Sequence, residues 1–99
     1  MVTFIRTVVA LPGKLFELLA LAKEIAAVVK GVTGMDLAVC SAFGGNPTEV
    51  AWIWQFDSVA QLETNAVKVM ADAEYRTALK KLENLVVPGS ARDQIWMDA

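Results

Sequence analysis

Hydrophobic and polar positions change period several times along this chain, and each change marks an element. Val2 to Ala10, VTFIRTVVA, is rich in β-branched residues and predicts a strand that Pro12-Gly13 ends. From Lys14 onward Leu15, Leu18, Leu19, Ala22, Ile25, Ala26 and Val29 recur at spacings of three and four, with Glu17, Lys23, Glu24 and Lys30 between them. That period predicts an amphipathic helix, which is expected to stop near Gly31. Gly34 then releases a second run of strand formers, Met35 to Phe43. Gly44-Gly45-Asn46-Pro47 separates it from a third strand, Glu49 to Phe56, so the two are expected to form an antiparallel hairpin. The glycine pair reads as turn chemistry, because no helix begins after it to aim N–H groups at a phosphate.

Ser58 to Gln61 has the form S-x-x-Q, in which the serine oxygen accepts from the N3 amide and the glutamine reaches back to the Ser58 amide. A second helix is expected from there. Val59, Leu62, Ala66, Val67 and Met70 make one apolar stripe; Tyr75, Ala78, Leu79, Leu82 and Leu85 make another, with a break near Ala71 and Asp72 as a second cap. Val87-Pro88-Gly89-Ser90 closes the helix, and Arg92 to Met97 is the last strand. The order strand, helix, strand, strand, helix, strand, with right-handed crossovers, predicts one domain over residues 1–99. Its expected fold is a ferredoxin-like α+β sandwich, a four-stranded antiparallel sheet with two helices on one face.

Alternation along the strands assigns side chains to faces. In the third strand Val50, Trp52, Trp54 and Phe56 fall beneath the helices, leaving Ala51, Ile53 and Gln55 on the open face. In the first strand Arg6 is the deciding residue. A guanidinium is costly against dry helix undersides, so Phe4, Arg6 and Val8 are expected on the open face, where Arg6 meets solvent, a cavity or a partner carboxylate. Asp36 and Glu49 are its candidate partners within the chain.

Composition adds a constraint on assembly. Apolar residues make up 56% of the 99, before six glycines are counted, against about 45–50% with glycine included in ordinary domains. A chain this short buries a modest fraction of its surface, and charged residues interrupt every apolar run before it reaches membrane-spanning length. The excess therefore predicts a homodimer joined through the open sheet face. Met1 to Leu11 carries Arg6 mid-segment and lacks a small-residue cleavage site, so no signal peptide is expected. Nine basic against eleven acidic residues, with no basic run, argue against nucleic acid as a partner.

Cys40 is the single cysteine and cannot form an internal disulfide, which suits a cytoplasmic location. The chain has no histidine, the commonest metal ligand and the usual acid or base near neutral pH. Neither a metal nor a cofactor is expected. Five residues carry the candidate chemistry of a ligand pocket. Arg6 suits a carboxylate or phenolate, Gln55 and Asn65 suit a ligand oxygen, and Trp52 and Trp54 serve as core rings or as walls. Cys40, without a cationic neighbour, reads as a small buried hydrophobe.

The Leu11-Pro-Gly-Lys-Leu opening of the first helix, the Trp54-Gln-Phe-Asp-Ser58 junction, the Ala71-Asp-Ala-Glu-Tyr75 break and the Leu85-Val-Val-Pro-Gly-Ser90 exit together span nearly the whole chain. In order and spacing they resemble NIPSNAP-like proteins of the dimeric α/β-barrel superfamily. The resemblance implies a homodimer whose two sheets face one another in a barrel. That superfamily also holds cofactor-free monooxygenases of antibiotic biosynthesis, haem-degrading enzymes, muconolactone isomerases and stress-responsive proteins, so the fold alone selects no reaction. Haem-binding members typically supply an axial histidine, which this sequence lacks. The monooxygenases use Asn, Trp and in some cases Tyr or Arg around an aromatic substrate. Asn65, Trp52, Trp54, Tyr75 and Arg76 offer those residue types without matching a catalytic motif, and none is assigned as catalytic. Two functions follow as expectations: a homodimer that binds a small apolar ligand, or a cofactor-free monooxygenase or isomerase acting on a small aromatic or lactone substrate.

Overall fold

Strands and helices follow the predicted order in a computed structural model that describes residues 1–99. They are β1 (Val2–Val9), α1 (Leu15–Thr33), β2 (Ala38–Ser41), β3 (Glu49–Phe56), α2 (Val59–Met70), α3 (Ala73–Leu82) and β4 (Arg92–Met97). The sheet is antiparallel in the order β2-β3-β1-β4, the ferredoxin-like α+β arrangement, with the helices on one face. No helix is long and apolar enough to cross a membrane.

The first helix runs past Gly31 and ends at Gly34, whose φ of 74° no β-carbon would tolerate cheaply and whose N–H closes on the Lys30 carbonyl. Tertiary packing overrides the low propensity of Gly31. The second strand is shorter than its apolar run, because only Ala38 to Ser41 pair with β3. It also lies at the sheet edge, so Cys40 is a half-buried residue beside Ala51 rather than part of the core.

At the β3–α2 junction the Ser58 oxygen accepts from the Gln61 amide, as the capping pattern predicts. The Gln61 side chain reaches one residue further back than expected, accepting from the Asp57 N–H at 2.7 Å. The expected break at Ala71 fully separates two helices. Asp72 is extended there (φ −79°, ψ 126°) and its carboxylate accepts from the Tyr75 amide at 2.8 Å. Replacing Asp72 by alanine is expected to cost about 1 kcal/mol, the usual worth of such a cap, measurable by urea unfolding; an unchanged midpoint would show that the break does not depend on the cap. Leu85 falls beyond α3, where its carbonyl accepts from the Leu11 N–H. The exit turns at Pro88-Gly89, with Gly89 at φ 76°, and Ser90 Oγ then accepts from the Val9 N–H at 3.1 Å.

Facing in β3 follows the alternation: Val50, Trp52, Trp54 and Phe56 are all buried under the helices. Facing in β1 is the reverse of the expectation. Arg6 lies directly opposite Trp52, and Phe4 opposite Trp54, so Val2, Phe4, Arg6 and Val8 share the helix-side face. Gln55 is opposite Thr3, on the other face with Ile5 and Ile53. The reason is additive. Burying Val2, Phe4 and Val8 outweighs one cation, and the helices leave β4 uncovered, every residue of it being exposed. At that uncovered margin Arg6 keeps partial access to solvent and gains the carboxylate of Asp93, its neighbour across the β1–β4 ladder.

Candidate functional site

A cavity of about 390 Å³ separates the sheet from the helices. Phe4, Val8, Trp52 and Trp54 form its floor; Ile25 and Val29 of α1, Val69 of α2, and Tyr75, Leu79 and Leu82 of α3 form its roof. Its geometry follows from the helix break. The Tyr75, Leu79 and Leu82 stripe of α3 is directed at the cavity, while α3 itself packs mainly along α1.

Of its 15 lining residues 13 are hydrophobic, and the remaining two are Arg6 and Asp93. They form a bidentate pair: Arg6 Nε donates to Asp93 Oδ1 at 2.6 Å and Nη2 to Oδ2 at 2.7 Å. The guanidinium carbon also stands 5.6 Å from the centre of the Phe4 ring. These hydrogen bonds, opposed by burial and aided by the charge of Arg6, hold the Asp93 carboxyl below the usual carboxylate range. The same hydrogen bonding raises the Arg6 pKa further above its already high value. Tyr75 lies beside the pair without a hydrogen bond from its hydroxyl to either partner. Burial pushes its phenol up, against the opposing influence of Arg6, so it stays protonated throughout the physiological range.

The depressed Asp93 pKa fixes the sign of an acid effect. Its contribution to stability is complete above the unfolded aspartate pKa of about 3.9 and is lost as pH falls through the lower folded value. Melts of the native protein and Asp93→Asn should therefore differ at pH 7 and converge toward pH 2. The gap is modest, because both side chains are partly exposed. A gap that persists undiminished at pH 2 would contradict the assignment.

The two candidate tryptophans differ in a way their shared face does not reveal. Trp52 Nε1 donates to the Ala22 carbonyl of α1 at 3.2 Å, which makes it a strut between sheet and helix. Trp54 Nε1 is buried and has no acceptor. Its ring is tilted against Phe56, with centroids 4.6 Å apart. Arg6, Trp52 and Trp54 thus meet at one cavity, whereas Gln55 and Asn65 do not. Gln55 is exposed on the opposite face, and Asn65, buried in α2, donates to the Gln61 carbonyl one turn earlier. Tyr75 and Asp93 complete the site and were not among the candidates. Tyr75 was legible as the first member of the α3 stripe; Asp93 could be found from its alternation with Ile95 and Met97 once β4 was aligned beside β1. No group of three Cys, Asp or Glu side chains is placed to hold a metal ion.

The fold and cavity can now be set beside known proteins. No protein-family model matches the sequence, and no curated protein matches it. Solved structures do. An uncharacterized NIPSNAP domain protein from Burkholderia xenovorans superposes with a TM-score of 0.84 at 15% identity, over 100% of this chain and 95% of its own. A NIPSNAP family protein of unknown function from Agrobacterium tumefaciens gives 0.82 at 24% identity, over 100% and 88%. An antibiotic biosynthesis monooxygenase gives 0.72 at 14% identity, over 100% and 98%. The resemblance carried by the four junction motifs is therefore matched in three dimensions: the structural neighbours with TM-scores above 0.8 include NIPSNAP family proteins. At these identities the likeness is one of fold.

Proposed function

We propose that the protein is a homodimer, joined through the open faces of its sheets, in which each subunit binds a small, mostly apolar molecule between sheet and helices. The cavity carries this reading. Its volume of about 390 Å³ falls within the range of small-molecule sites, and an apolar wall with a few convergent polar groups is their usual lining. The open face supports the dimer: Ile5, Ala38, Cys40, Ala51 and Ile53 give it an apolar centre, and Glu49 and Arg92 are confined to one end. Trp96, 59% exposed, extends the same face. The lone thiol favours a cytoplasmic location.

Titration with the neutral fluorophore N-phenyl-1-naphthylamine tests the cavity. Fluorescence should rise to saturation at one dye per subunit and fall sharply in Leu79→Trp, which fills the void. A non-saturating rise that ignores the substitution would remove the reading. The monooxygenase or isomerase alternative needs polar groups converging on a substrate. Its support is reduced because Gln55 and Asn65 lie away from Arg6.

A further inference from the structure

We propose that the cavity selects a ligand bearing a neutral acceptor oxygen, such as a ketone or lactone carbonyl, and that the Trp54 indole N–H is the donor that reads it. The inference rests on the cavity being a ligand site. It begins with an imbalance: Trp54 is 6% exposed and its Nε1 is a buried donor without a partner. Such groups are rare in folded proteins, because an unmet buried donor keeps its full desolvation cost. Trp52, on the same strand and face, shows how the fold satisfies an indole when the ring serves packing alone.

The other polar groups lining the cavity offer donors too. Arg6 Nη1 makes no hydrogen bond within the chain, since Asp93 occupies Nε and Nη2. The Tyr75 hydroxyl is protonated and free to donate. The one carboxylate, Asp93, has both oxygens engaged by Arg6. A ligand that must donate finds no free side-chain acceptor among these groups. Charge narrows the class further. Arg6 and Asp93 neutralise one another, so a ligand carboxylate would enter a charge-balanced site beside an existing carboxylate and lose its hydration without gaining an unpaired cation. A carbonyl avoids that cost and supplies the missing acceptor.

Three probes of one skeleton test this by calorimetry: 1-tetralone, tetralin and 1,2,3,4-tetrahydro-1-naphthoate. The ratio of ketone to hydrocarbon affinity in the native protein should fall about tenfold in Trp54→Phe, the worth of one buried hydrogen bond. Comparing ratios cancels the different water solubilities of the probes. The carboxylate should bind more weakly than the ketone. An unchanged ratio overturns the role of Trp54, and a tighter carboxylate overturns the neutral class, while the cavity reading survives both. Failure of all three probes to bind overturns the cavity reading and this inference with it. Should Trp54→Phe not fold, the native indole N–H resonance of Trp54 answers the same question. It should move downfield with tetralone and not with tetralin, and equal shifts would count against the donor role.

Discussion

Phe56→Ala is expected to lose about 3 to 5 kcal/mol of folding stability, the usual range for removing a buried phenylalanine. Phe56 is 1% exposed, at the helix-side end of β3, and is packed against the Trp54 ring. Truncation leaves a void where the strand passes into α2, and Trp54 loses its neighbour. A domain of this size has on the order of 5 to 15 kcal/mol in total, so the variant would be marginal. Phe43→Ala is the matched control, because the Phe43 ring stands fully in solvent on the β2–β3 loop. It should change stability by less than about 0.5 kcal/mol. Urea unfolding of all three proteins at one concentration gives the comparison, and similar losses for the two variants would mean that the core is misplaced.

The second large effect concerns assembly. Ile53 lies at the middle of the open face, between Ile5 of β1 and Ala38 of β2. If that face joins two subunits, Ile53→Arg buries an unpaired cation from each of them, and dissociation should become at least about 100-fold easier. Within one subunit the substitution meets solvent and should leave the fold intact. Sedimentation equilibrium of the native protein at micromolar concentration should show a dimer, and the variant should be monomeric with an unchanged circular dichroism spectrum. A native monomer would refute the assembly, and a variant that remains dimeric would place the interface elsewhere.

Element order, the β3 boundaries, the β4 boundaries and the break at Asp72 were legible because each is fixed by local signals: period, turn residues and caps. The end of α1 was read three residues early, since a glycine stops a helix by its conformation, and only Gly34 adopts the left-handed one. The candidate site was less legible, and Arg6 shows why. Its cost was weighed alone, against a dry helix underside, when its position depended on two facts about strand neighbours. β4 supplies Asp93, and the helices stop short of β4. Both belong to sheet order and register, which connect residues 87 positions apart. Tyr75 had the right period, yet nothing local distinguished a ring in the core from a hydroxyl beside a guanidinium. The contrast between Trp52 and Trp54 lay still further out of reach, because it depends on whether one helix carbonyl falls within bonding distance.

The break between α2 and α3 has a further consequence. Val69 alone represents α2 in the roof of the cavity, whereas α3 contributes three residues. The direction taken by α3 therefore controls how much empty space the domain encloses, and the carboxylate of Asp72 fixes where α3 begins. Interior capacity in this scaffold is thus adjustable from a helix terminus on the surface. Chains with the same buried residues but a different residue at that terminus would hold guests of different size.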